Sequence, residues 1–73
     1  MSKSLYSNEQ KNIARKLIKA RIGAKLTQSS AAEKLGKSQS YISKVESGQS
    51  QIDVVELKLF ARLYQKNVDY FIS

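Results

Sequence analysis

The sequence predicts an all-α fold of five helices and no strand, on three observations. Cap-forming residues recur ahead of apolar runs: Ser7 with Gln10, Thr27, Ser38, and Asp53 with Glu56. The apolar residues between them repeat at three- and four-residue spacing, which lines one side of a helix. Proline is absent, and two of the three glycines, Gly36 and Gly48, stand where a helix would end.

Ser7 and Gln10 have capping-box spacing, in which each side chain covers a backbone N–H at the helix start, and they open the first helix. Ile13, Leu17, Ala20 and Ala24 form its inward stripe. Gly23 weakens its end, which is expected by Lys25. Thr27 caps a short second helix, Gln28 to Leu35, closed by Gly36, where a left-handed residue costs least. Ser38 caps a third helix, Gln39 to Ser47, closed by Gly48. After a polar loop from Gln49 to Ile52, Asp53 and Glu56 repeat the capping box and open a fourth helix to about Gln65. Asn67 or Asp69 caps a last turn through Tyr70, Phe71 and Ile72. Residues 1–6 are expected to form an N-terminal arm and residues 7–73 one domain, since 73 residues support a single small core.

Composition removes several function classes. With no cysteine and no histidine, the chain has no thiol nucleophile, no disulfide, no zinc ligands of the usual kinds and no imidazole base. No glycine-rich phosphate loop or Ser-x-x-Lys motif occurs, and the few carboxylates are mostly accounted for as caps, so neither an enzyme nor a cofactor or metal is expected. No signal peptide and no membrane span are legible, which makes the cytoplasm the expected compartment and a membrane partner unexpected.

The charge is uneven. Residues 1–25 hold Lys3, Lys11, Arg15, Lys16, Lys19, Arg21 and Lys25 against the single acid Glu9, and this segment supplies most of the net charge of +7. Such a face suits a phosphate backbone or an anionic surface, and it equally suits a solvated helix face that keeps the protein dispersed.

The stretch from Gln28 to Glu46 is the most informative. Two short helices meet at a tight turn, with Ala32 small enough for a helix crossing and Gly36 free to take positive φ. Ile42 and Val45 pin the second helix of the pair to the core, while Gln39, Ser40, Ser43 and Lys44 face the other way. A helix presenting amide, hydroxyl and ammonium groups fits the major groove of double-stranded DNA, which admits one helix and is read by hydrogen bonds. The same spacing also occurs in helical hairpins with no such role.

At these residues the chain resembles the lambda-repressor/Cro-like (XRE) helix-turn-helix family. The matching segments are Leu26-Thr27-Gln28, Ala32-Glu33-Lys34-Leu35-Gly36, and Ser38 through Gly48 with its Gln-Ser-Tyr-Ile-Ser-Lys-Val-Glu core; Ile52 to Glu56 is similar to a subgroup. The resemblance implies a five-helix lambda-repressor-like domain with its motif at 28–47. It also implies roles. Gln28 would cap the second helix against a DNA phosphate and brace Gln39. Gln39, Ser40 and Lys44 would reach base edges, and Tyr41 and Ser43 a phosphate or a thymine methyl. Backbone N–H groups from Gly48 to Gln51, with Gln49 and Ser50 central, would meet the next phosphate. The sequence departs from the family at Ala31, often leucine there, at Lys37, often apolar, and at the loop Gln49-Ser50-Gln51, usually basic. Lys37 is expected to supply the phosphate contact that this loop lacks.

Arg21 falls on the inward side of the first helix with Leu17 and Ala24, and a charge there needs a partner. Glu46 is the natural one, and the resemblance points to the same structural ion pair. The tyrosines Tyr6, Tyr41, Tyr64 and Tyr70 are spread over separate elements and form no stacking platform; Tyr64 is expected in the core and Tyr6 at the surface. The fourth helix carries two apolar stripes, Val54, Leu57, Ala61 and Tyr64 on one and Val55, Leu59 and Leu63 on the other, with Phe60 between. A core this small cannot absorb both. The second stripe, with Tyr70, Phe71 and Ile72, is either partly buried or a homodimer interface through Val55, Leu59, Leu63, Tyr70 and Ile72, and family members usually bind palindromic operators as dimers.

The expected function is therefore sequence-specific binding of double-stranded DNA by a transcriptional repressor that acts through helix 39–47. The competing expectation is a protein-interaction module, such as an antitoxin, that neutralises an unidentified protein partner and binds DNA secondarily.

Overall fold

The computed structural model describes residues 8–72, so the Ser7 cap, Tyr6, Lys3 and the expected N-terminal arm lie outside the described residues. Five helices follow in order: α1 (Asn8–Gly23), α2 (Gln28–Leu35), α3 (Gln39–Glu46), α4 (Val54–Tyr64) and α5 (Val68–Ile72). The described residues contain no strand.

Local chemistry sets the helix ends. Thr27 Oγ1 accepts from the Ser30 N–H at 3.0 Å, and Ser30 Oγ accepts from the Thr27 N–H at 2.9 Å. This is a capping box with serine where glutamate or glutamine is usual. Gly36 takes φ 70°, and the Lys37 N–H turns back to the Ala32 carbonyl at 2.9 Å. The Gly36 N–H donates to the Glu33 carbonyl at 3.2 Å, and these two bonds close α2 and leave a two-residue connection to Ser38, whose Oγ accepts from the Tyr41 N–H at 3.1 Å. Asp53 and Glu56 make the expected reciprocal box at α4. Two ends fall one residue short of expectation: Ser47 is the C-cap of α3, and Gln65 leaves α4 in the left-handed region at φ 59°. At the start of α5, Asn67 precedes the first helical residue and its carbonyl accepts from the Tyr70 N–H, while Asp69 lies inside the first turn.

The core forms where α1, α4 and α5 close over the α2–α3 pair. Leu17, Ile42, Phe60 and Phe71 are its largest fully buried side chains. Ala20, Ala31 and Ala32 are buried with them, and small side chains let helices cross closely. Two expected core residues are not in it. Ala24 is exposed, because Lys25 at φ 63° turns the chain off α1 there; Ala14 is buried in its place. Val54 is 63% exposed, since it occupies the first turn of α4, beyond the cluster built by Leu57, Phe60, Ala61 and Tyr64. Phe60, between the two stripes by sequence, is buried to 1%.

Candidate nucleic-acid interface

The outer face of α3 is built by the burial of its inner one. Ile42 and Val45 are buried, which leaves Gln39, Ser40, Ser43 and Lys44 exposed together on the opposite side. The helix is only eight residues long, and an isolated helix of that length is marginal in water. Its geometry therefore depends on the core and on what fixes its ends.

One polar chain fixes both ends. Arg21 Nε donates to Glu46 Oε2 at 2.7 Å and Arg21 Nη2 to Glu46 Oε1 at 3.1 Å, a two-pronged pair, while Nη1 donates to the Leu26 carbonyl at 2.9 Å. The Arg21 and Glu46 side chains are 14% and 4% exposed. The hydrogen bond to Glu46 raises the Arg21 pKa above its ordinary value, against the opposing effect of burial. Gln28 Nε2 donates to the same Glu46 Oε1 at 3.0 Å, and Gln28 Oε1 accepts from Gln39 Nε2 at 3.4 Å. Ser29 Oγ donates to Gln39 Oε1 at 3.0 Å. Gln39 thus has its amide plane set by two neighbours on α2 and keeps one N–H and one lone pair directed elsewhere. An adenine edge in the major groove offers the matching donor and acceptor.

Lys37 and Tyr41 form a second group at the start of α3. Lys37 Nζ sits 5.1 Å from the centre of the Tyr41 ring, a cation–π distance. The ring stacks on Phe60, and the Tyr41 hydroxyl donates to Glu56 Oε2 at 2.9 Å. Burial and then the bond to Glu56 hold the Tyr41 pKa well above its usual value. The Tyr41 hydroxyl proton is therefore committed to the α4 capping residue.

The loop after α3 is tied back to the helix. The N–H groups of Gly48, Gln49 and Ser50 donate to carbonyls of Val45 and Lys44 at 3.1, 2.9 and 3.3 Å. They complete the end of α3, so three of the main-chain donors expected to meet a phosphate, those of Gly48, Gln49 and Ser50, already bond within the chain. Gly48 itself is buried at φ 82°, and its carbonyl accepts from Gln10 Nε2 of α1 at 2.6 Å. Neither this bond nor the Ser29–Gln39 bond was visible in the sequence, because each joins separate elements of the fold and has no local spacing signal.

The apolar residues expected at a subunit contact divide into separate places. Val55 and Leu59 are 68% and 42% exposed on successive turns of α4, and Leu59 borders Leu35, Lys37 and Tyr41. Leu63 and Tyr70 are half-buried and share a cleft with Lys19, Ala20 and Leu26. The Tyr70 ring stands edge-on to Phe71 under the ammonium of Lys66. Ile72 is exposed beside Glu9, Asn12 and Ile13 of α1.

Among the described residues, no cluster of potential metal ligands occurs and no helix is long and apolar enough to cross a membrane. The sequence model of a family described as Helix-turn-helix matches residues 17–71, which spans the end-to-end polar chain and both helices it ties together. No curated protein matches the chain.

Proposed function

The chain belongs to the XRE/lambda-repressor-like helix-turn-helix family of DNA-binding transcription regulators, and from that premise we propose that it represses transcription by occupying a palindromic operator as a homodimer. Residues 7–73 would form the DNA-binding domain, with residues 1–6 as an arm, acting in the cytoplasm without a cofactor. Gln39, Ser40, Ser43 and Lys44 would read base edges. Gln28 and Lys37 would hold phosphates, with Tyr41 positioning the Lys37 ammonium rather than touching DNA itself. Gln49 and Ser50 would contribute side chains at the far edge.

The observation that carries this reading is the restrained amide of Gln39, exposed at the start of α3 and bonded to Gln28 and Ser29. A reading group held in one orientation loses less entropy on binding than a free one. Selection of bound sequences from a random duplex pool tests it. An enriched inverted repeat with half-sites about one helical turn apart is expected. Failure to enrich any duplex sequence would overturn the reading.

A further inference from the structure

We propose that Lys11, on α1, is a phosphate-binding residue that supplies the cation missing from the loop after α3; Lys37, expected in that role, stands at the other end of α3. The inference rests on the DNA-binding reading above and concerns a helix outside the helix-turn-helix.

Three observations converge on it. First, the loop Gln49-Ser50-Gln51 carries no charge, and the N–H groups of Gly48, Gln49 and Ser50 are taken by α3 carbonyls. A phosphate beside this loop would find no cation there and few free main-chain donors. Second, the first turns of α1 are tied to that loop. Gln10 Nε2 reaches the Gly48 carbonyl at 2.6 Å, across 38 residues of chain. Third, the next residue, Lys11, lays its stem over Gly48, with Cγ 3.8 Å from the position a Cβ on that glycine would take. Lys11 is exposed, so its ammonium remains in solvent beyond the stem. The same bond that closes α1 onto the end of α3 therefore sets a cation beside the loop.

Glycine at position 48 fits this arrangement. Its positive φ, which L side chains rarely adopt, ends α3 beside the Lys11 stem. The concentration of basic residues in the first third of the chain acquires a specific reason at this position.

The test compares the full chain with Lys11→Gln, Lys11→Glu and Lys11→Arg, on the duplex enriched from the random pool and on an unrelated duplex, by fluorescence anisotropy over a range of salt. Lys11→Gln keeps the stem and removes the charge. It is expected to weaken both duplexes by the same factor, roughly tenfold at moderate salt, and to make the salt dependence shallower by about one unit of slope per subunit. Lys11→Arg should bind like the parent and Lys11→Glu more weakly than Lys11→Gln, with melting temperatures unchanged. Lys66→Gln, which removes an equal charge from the Tyr70 edge, should leave the salt slope as it was. A parent that binds duplex DNA with Lys11→Gln at parental affinity and slope would overturn the inference alone. A loss confined to the preferred duplex would overturn it too, since a phosphate contact carries no sequence information. A parent that binds no duplex would overturn the DNA-binding reading and this inference with it.

Discussion

Gln28 Nε2 and Glu46 Oε1 lie 3.0 Å apart, joining the first residue of α2 to the last residue of α3. Glu46 is the acid that neutralises Arg21, and Gln28 is the residue that holds Gln39, so the core ion pair and the exposed reading group belong to one network. Hydrogen bonds in such chains polarise one another, and each member orients the next.

Breaking this network at its charged centre should be expensive. Glu46→Ala leaves Arg21 largely buried without its carboxylate and is expected to cost about 3 kcal/mol. Arg21→Met with Glu46→Leu together should cost less than the sum of the single changes, because the double variant leaves no buried charge unpaired. Denaturant melts of the parent, Arg21→Met, Glu46→Leu and the double variant measure this; strictly additive losses would show that the contact contributes no coupling.

For base readout, Gln39→Ala should lose about 1–3 kcal/mol on the preferred duplex and relax the preference at one or two base pairs. Ser29→Ala should give a smaller loss of the same kind, since it frees the Gln39 oxygen without removing it. Lys37→Ala should weaken all duplexes alike. Competition binding with single-base variants of the site separates these patterns, and unchanged discrimination by Gln39→Ala would exclude α3 as the reader.

Tyr64 offers a pH-dependent prediction. Its hydroxyl is buried and has no hydrogen-bond partner among the described residues, and burial first, then the Glu46 carboxylate, push its pKa from 10.0 up to about 12. A raised folded-state pKa favours the protonated form, so this contribution to stability is present in full below pH 10 and is lost as pH rises through about 12. Loss of helicity should therefore accompany tyrosinate absorbance in that window. Tyr64→Phe should be neutral or stabilising by about 1 kcal/mol at pH 7, since it removes an unsatisfied buried hydroxyl, and should move the alkaline transition to higher pH. A large loss of stability at pH 7 would reveal a partner for the hydroxyl.

Self-association should depend on α4. Val55 and Leu59 are exposed on successive turns, whereas Leu63 and Tyr70 are half-buried within the subunit, so the first pair is the better target. Replacing both with lysine is expected to leave the melting temperature within a few degrees of the parent and to shift a dimer to monomer in sedimentation equilibrium at micromolar protein. The monomer should bind a half-site and lose the tight binding of the full inverted repeat. A parent that is already monomeric would remove the dimer from the proposal.

The helix pattern could be read from the sequence because its signals are local. Thr27, Ser38 and Asp53 each satisfy backbone donors within three residues, and Gly36 closes α2 through its own backbone freedom, so spacing alone locates them. The outward set Gln39, Ser40, Ser43 and Lys44 was legible for the same reason, since Ile42 and Val45 fix which side of α3 is buried. Periodicity could not decide where a stripe stops meeting the core. Ala24 and Val54 continue their stripes in sequence but lie at helix ends, where the chain turns away or the packing partners run out. The contacts between helices were likewise beyond it: Gln28 to Glu46, Tyr41 to Glu56 and Gln10 to Gly48 join residues 18, 15 and 38 positions apart. Local propensity acts over a few residues, whereas these bonds exist only after the apolar faces of α1, α3 and α4 have closed on one another and brought their polar edges within hydrogen-bonding distance.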